Sequence, residues 1–224
     1  MILAAGRGER MRPLTDRVPK PLLTVGGIPL IEHLIGRLRS AGYRELVINL
    51  GHLGEQIEGY LGAGERLGVH IAYSREPPGA LETAGGIREA LPQLGDEVFL
   101  VINGDIWCDH ALHPPALAPE VLAHLVLVDN PAHHSEGDFT LEAGRLGLDQ
   151  SPRYTFSGIG WYRPELFAGL PRGRRPLAPV LRAAIAEGRV TGEHHGGSWI
   201  DIGTPERLHS LDREHPKKNP AQPG

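Results

Sequence analysis

The first 22 residues constrain this chain more than any other stretch. Met1-Ile-Leu-Ala-Ala5 is an apolar run of the length of a buried strand, and Gly6-Arg7-Gly8 follows it at once. Glycines there let the backbone turn tightly and expose its N–H groups to a ligand, a geometry that holds phosphate. Arg7, Arg10, Arg12 and Lys20 fall close together, opposed locally by Glu9 and Asp16, although the whole chain has a formal net charge of -4. A cationic loop on an acidic protein implies a small anionic ligand. No long basic tract accompanies it, which argues against nucleic acid.

A glycine pair after a strand also begins the dinucleotide-binding turn, so the spacing has to be tested. Gly6-x-Gly8-x-x-Met11 lacks the third glycine, where helix and strand must pack closely, and no G-x-x-x-x-G-K-[ST] run is present. What remains is a loop whose backbone donors hold phosphates, with Arg10 the nearest well-placed cation. Lys20 stands between Pro19 and Pro21, which restrict the chain on both sides and remove two donors. The segment reads either as a surface lysine on an extended stretch or, as the functional reading, as an ammonium held against a transferring phosphoryl group.

Two aspartates form the second constellation. Asp105 follows Val98–Ile102, five apolar residues in a row, at the strand end where ligands of open α/β sheets bind. Asp201 interrupts Trp199-Ile-Asp-Ile202, where a carboxylate is costly unless paired or bound to a cation. If both converge on the glycine loop, they make a hard oxygen site suited to magnesium. Read singly, either is also an ordinary cap or hydrogen-bond acceptor.

The rest of the chain alternates in a way that fixes the fold class. Helical spacing over 29–41, 53–61, 176–187 and 205–213 is interleaved with strand-like runs at 45–50, 69–74, 98–102, 125–128, 154–162, 190–194 and 198–202. That pattern predicts α/β architecture: a Rossmann-like mixed, mostly parallel sheet between helical layers, with a small polar hairpin over 139–148 beside the site. Residues 1–214 are expected to form one domain, and 215–224, with three prolines and two lysines, a disordered tail. No apolar run approaches the roughly 20 residues of a membrane helix. No secretory segment precedes the first strand, so the expectation is a cytoplasmic protein. At 224 residues the chain is long enough for one core, and a monomer is expected.

Other candidates are weaker. Glu76 to Ile87 reads as a glycine-bearing loop ahead of a short helix at 87–91; Glu82 and Thr83 then close over a base or ribose, or else Thr83 caps the helix. Asn130, His133, His134, Glu136 and Asp138 crowd a polar stretch suited to lining a sugar pocket or simply to facing solvent. Cys108 is the one cysteine: it excludes an internal disulfide, and with no G-x-S-x-G elbow, covalent catalysis is not expected.

Leu3-Ala-Ala-Gly-Arg-Gly-Glu-Arg-Met-Arg-Pro-Leu-Thr15 with Pro19-Lys-Pro21, Asn103-Gly-Asp105 and Trp199-Ile-Asp-Ile-Gly-Thr-Pro205 together resemble the sugar-1-phosphate nucleotidyltransferases. The landmarks run in the family's order across most of the chain. The resemblance implies that Ala4, Ala5, Gly6, Gly8, Glu9 and Arg10 hold a nucleoside triphosphate, and that Lys20 contacts the reacting phosphates. It implies Mg2+ on Asp105 and Asp201, and Glu82, Gly85, Asn103, Asn130 and Asp138 around the uridine or sugar. Leu81-Glu-Thr-Ala-Gly-Gly86, Asn130 to Phe139 and Thr155-Phe-Ser-Gly-Ile159 are similar to the branch of the family that joins UTP to N-acetylmuramic acid 1-phosphate in peptidoglycan recycling. Mannose-1-phosphate with GTP, or glucose-1-phosphate with UTP or dTTP, stays open, as does a nucleotide-sugar sensor without chemistry. Ala84 stands where near relatives carry glycine. No Glu-Lys-Pro segment is present to touch the sugar phosphate, so that role either falls to Arg153 or is absent in this branch.

Overall fold

Which side chains of each apolar run are buried, and against what, decides how the runs assemble. The computed structural model describes residues 1–77, 81–148 and 152–216. In chain order its strands and helices begin with β1 (Ile2–Leu3), β2 (Thr24–Val25), β3 (Ile28–Pro29), α1 (Leu30–Ser40), β4 (Glu45–Leu50), α2 (Gly54–Leu61), β5 (His70–Arg75) and α3 (Glu82–Leu94). They continue with β6 (Phe99–Asn103), β7 (Ile106–Cys108), β8 (Ala123–Val128), β9 (Thr140–Glu142), β10 (Arg145–Gly147) and β11 (Thr155–Tyr162). The last are α4 (Glu165–Ala168), α5 (Leu177–Ala186), β12 (Val190–His194), β13 (Trp199–Asp201) and α6 (Pro205–Glu214).

Among the described residues, nine strands form one sheet in the order β5-β4-β1-β6-β11-β8-β12-β10-β9. β5, β4, β1 and β6 are parallel neighbours, as are β8 and β12. β11 runs antiparallel between β6 and β8, and β10 antiparallel beside β12 and β9. The sheet is therefore mixed, its parallel part gathered at the side that carries the glycine loop.

Alternation along β6 shows how both faces are covered. Leu100 and Ile102 join the core under α1 and α2, with Ile35, Leu38, Ile57 and Leu61, whereas Phe99 and Val101 join the core under α3, α4 and α5. Burying each such side chain contributes about 1.5–3 kcal/mol. A third, smaller core holds Met11, Val25, Leu30, Ile202, Leu208 and Leu211, which fastens α6 across the amino-terminal loop. Thr204 caps α6, its Oγ1 accepting from the Arg207 N–H at 3.5 Å, and Pro205 occupies the first turn, where no donor is missed.

The segment before Ile87 departs from its sequence reading. The glycines of Glu-Thr-Ala-Gly-Gly86 lie inside helix α3, which starts at Glu82. They are there for close packing: a methyl at Gly85 would fall 2.5 Å from the Gly173 carbonyl oxygen, and one at Gly86 2.6 Å from Glu76 Oε1. Ala84 has no exposure and belongs to the core beneath the helix. At the other end, His215 packs against Trp107 with ring centroids 4.8 Å apart. The expected tail thus begins with a packed residue, and 217–224 lie outside the described residues. No helix among the described residues is long and apolar enough to cross a membrane.

Candidate active site

β1 ends in the middle of the sheet, flanked by β4 and β6, so the loop that follows opens where three parallel strands end together. Leu3 pairs with Asn49 on one side and Asn103 on the other. Asn49 fixes the loop's exit: its Oδ1 accepts from the Ala4 N–H at 2.7 Å, and its Nδ2 donates to Glu76 Oε1 at 2.8 Å. Gly8 has φ of 66°, a left-handed conformation suited to glycine, and Thr15 Oγ1 donates to its carbonyl at 2.8 Å. A cleft of about 400 Å³ results, lined by Ala4, Ala5, Gly6, Gly8, Glu9, Arg10, Lys20, Asn49, Glu76, Glu82, Asn103 and Asp105, among others.

Lys20 is 9% exposed, and its Nζ lies 2.5 Å from Asp105 Oδ2. An ammonium so shielded, on a stem packed under Gly8 between two prolines, is aimed at the cleft before any ligand arrives. The pairing of β13 with β7 carries Asp201 to the border of the cleft, beside Gly203, which lines it. Asp201 lies opposite Ile106, and the next amide, Ile202 N–H, donates to the Asp105 carbonyl at 2.8 Å. Arg207 Nη1 is 2.5 Å from Asp201 Oδ2 and His133 Nε2 is 3.3 Å from Oδ1. Arg10 reaches this corner too. A methyl at Gly203 would fall 2.9 Å from Asp201 Oδ2 and 3.3 Å from Arg10 Nη2, which places the loop, the aspartate and the arginine close together.

The two aspartates, Asp105 in the turn between β6 and β7 and Asp201 on β13, offer only carboxylate oxygens, and each side chain is partly exposed. Those are the hard donors magnesium takes alongside water and phosphate oxygens, so the residues present fit the ion.

A second cavity of about 380 Å³ shares Leu3, Glu82, Thr83 and Asn103 with the first and extends to Asp138, Phe156 and Tyr162. Asp138 is held there by the Phe156 N–H, which donates to its Oδ2 at 2.8 Å, and by His134 at 3.2 Å. Three of the sequence candidates, Gly85, Asn130 and Asp201, line neither space. Gly85 serves the packing of α3 described above. Asn130 is consumed in pinning the polar loop, donating to the Ser135 and Arg153 carbonyls and accepting from Thr155 Oγ1 at 2.8 Å. Arg153 also lines neither; it donates to the Leu148 carbonyl at 2.5 Å. Arg7 and Arg12 form exposed ion pairs with Glu9 and Asp16.

Sequence reasoning missed Asn49, Glu76, Gly203 and Arg207. Asn49 carried a usable signal, being a polar residue inside the apolar run Leu46-Val-Ile-Asn-Leu50, the pattern that singled out Asp201. A larger space of about 740 Å³ lies elsewhere, between α1 and residues 109–113, and contains none of the candidate residues. Cys108 is buried with its thiol pushed up by desolvation, the wrong direction for a nucleophile. Its Sγ, Asp109 and His195 have ligand-type atoms within 4.8 Å of one another, a grouping the spacing did not suggest.

A glycine-bearing loop at the end of β1, a buried lysine and two carboxylates, one after β6 and one on β13, can hold a polyphosphate and stabilise charge building on it. A family model described as nucleotidyl transferase matches residues 1–122, over half of the chain. The chain belongs to that family. It is an enzyme of the sugar-1-phosphate nucleotidyltransferases. The N-acetylmuramate alpha-1-phosphate uridylyltransferase of Neisseria meningitidis serogroup B is 53% identical over 217 residues, covering 93% of this chain and 94% of that protein. A Caulobacter vibrioides protein of the same name is 35% identical, covering 92% of each. Among solved structures, a Bacillus anthracis glucose-1-phosphate thymidylyltransferase superposes with a TM-score of 0.81 over 99% of this chain and 96% of its own, at 23% identity, which shows the shared fold.

Proposed function

We propose that this chain transfers the uridylyl group of UTP to N-acetylmuramic acid α-1-phosphate, giving UDP-N-acetylmuramic acid and pyrophosphate. The observation that carries this substrate pair is the 53% identity, over nearly the full length of both chains, to a uridylyltransferase named for that sugar phosphate. An oxygen of the sugar phosphate attacks the α-phosphorus of UTP; the new P–O bond forms as the bond to the pyrophosphate oxygen breaks. The attacking phosphate is ionised at neutral pH, so no strong general base is required.

Catalysis is then positioning and charge neutralisation. Backbone donors from Ala5 to Gly8 cradle the triphosphate, Arg10 steadies it, and the Lys20 ammonium meets the negative charge that gathers on the transferring group. Asp105 and Asp201 would hold Mg2+, which supplies Lewis-acid neutralisation of the phosphates when bound. Glu82 and Asn103 sit where the two cavities join, between nucleotide and sugar, and Asp138 faces the sugar. The enzyme of this proposal works as a monomer in the cytoplasm, where UTP is available.

A panel of UTP, GTP and dTTP against the α-1-phosphates of N-acetylmuramic acid, mannose and glucose, read by pyrophosphate release, tests the reading. UTP with the muramic acid phosphate is expected to give the highest kcat/KM. A higher value for mannose with GTP, or for glucose with dTTP, overturns it.

A further inference from the structure

The second cavity raises an electrostatic problem for the substrate just proposed. Its carboxylates are Glu82 and Asp138, with no lysine or arginine among the described lining residues. N-acetylmuramic acid differs from N-acetylglucosamine by a lactyl ether, whose carboxylate would bring a further negative charge between two others. A sugar pocket of this sign rejects that group unless a cation meets it.

One cation is placed to do so. Arg174 contacts Glu82 with its fork: Nε lies 2.6 Å and Nη2 2.5 Å from Oε1. Its side chain is 75% exposed, so the head is free to turn, while the backbone beneath it is fixed. The Arg175 N–H donates to the Leu81 carbonyl at 2.8 Å, and the Gly85 N–H to the Arg175 carbonyl at 3.1 Å. The close approach of Gly85 to Gly173, which excludes any side chain there, seats the same loop on the first turn of α3. Glu82 itself has φ of 57°, a left-handed conformation unusual for glutamate, at the junction of both cavities. The guanidinium thus already holds a carboxylate at the cavity's edge.

Resting on the function proposed above, we infer that Arg174 is the specificity-determining residue for the lactyl group. It exchanges its contact with Glu82 for a charge-assisted, two-pronged contact with the substrate's carboxylate. Glu82, released, becomes an acceptor for a sugar or amide N–H or O–H.

The test is steady-state kinetics of pyrophosphate release from UTP with the α-1-phosphates of N-acetylmuramic acid and N-acetylglucosamine, for wild type, Arg174→Ala and Arg174→Lys. The wild type is expected to prefer the muramic acid phosphate. In Arg174→Ala the ratio of the two kcat/KM values should fall by roughly tenfold or more, mainly through KM for the muramic acid phosphate. Lysine, which keeps the charge but not the fork, should give an intermediate ratio. A wild-type preference that survives in Arg174→Ala within twofold overturns the inference and leaves the proposed function standing. A wild type that turns over both sugars equally also overturns it. A wild type that does not use the muramic acid phosphate removes the proposed function, and the inference falls with it.

Discussion

Replacing Lys20 by alanine separates catalysis from folding more cleanly than any other single change. The ammonium is 9% exposed and 2.5 Å from Asp105, so it acts in a shielded site and needs little reorganisation as charge develops on the phosphates. Removing one preorganised charge partner of this kind costs about 2.7–4 kcal/mol of transition-state stabilisation, or roughly a hundred- to a thousandfold in kcat. The effect on folding should be much smaller. The Asp105 side chain is 36% exposed and regains water when the pair is broken, which limits the loss to about 1 kcal/mol. The assay pairs kcat for pyrophosphate release at saturating substrates with thermal unfolding of the same preparation. The expected result is turnover reduced at least about a hundredfold with a melting temperature within a few degrees of wild type. Turnover within about threefold of wild type would remove Lys20 from the mechanism, whatever its geometry.

Two further outcomes follow from the packing. Gly86→Ala would push a methyl to 2.6 Å from Glu76 Oε1 and 3.1 Å from Asn49 Nδ2, disturbing the chain of bonds that positions the Ala4 amide. Overpacking of roughly 1–3 kcal/mol should outweigh the helix-propensity gain of about 1 kcal/mol, seen as a lower denaturation midpoint together with a raised KM for UTP. His124 bonds Thr191 Oγ1 at 2.9 Å, and burial holds its folded pKa below the ordinary 6.5. The unfolded chain therefore takes up the proton first, so this residue's contribution to stability is full above the ordinary histidine range and is lost as pH falls through it toward the folded value. His124→Gln should accordingly lose less stability than wild type between about pH 7.5 and 5.5, by thermal unfolding across that range; an equal loss in both would refute the assignment.

Much of this arrangement was legible because buried strands and their exits leave strong marks in a sequence. The 45–50 run reads as the strand observed at Glu45–Leu50, and the 190–194 run as Val190–His194, since β-branched and apolar residues there are bounded by glycines or polar turns. Lys20 and Asp201 stand out because each is a costly residue in its local setting, a lysine locked by prolines and a carboxylate inside an apolar strand; Asp105 stands out by its place after the most apolar strand. The misreadings have a different source. Glycines at 85 and 86 look like a loop, but their purpose is contact with residues 173 and 76, which no local pattern reveals. Asn130 looks like a sugar ligand because it is polar in a polar stretch, while its partners at 135, 153 and 155 lie up to 25 positions away. Arg174 is similarly invisible: only the fold brings it 92 positions back to Glu82.

Asp105 and Asp201 are proposed to share a divalent cation beside the amino-terminal loop. The most direct measurement is the anomalous difference density of crystals grown with Mn2+ and UDP-N-acetylmuramic acid. The account places a peak about 2.0–2.3 Å from oxygens of both carboxylates and in contact with the diphosphate. A peak on neither aspartate, for instance only at the Cys108, Asp109 and His195 grouping, would contradict it.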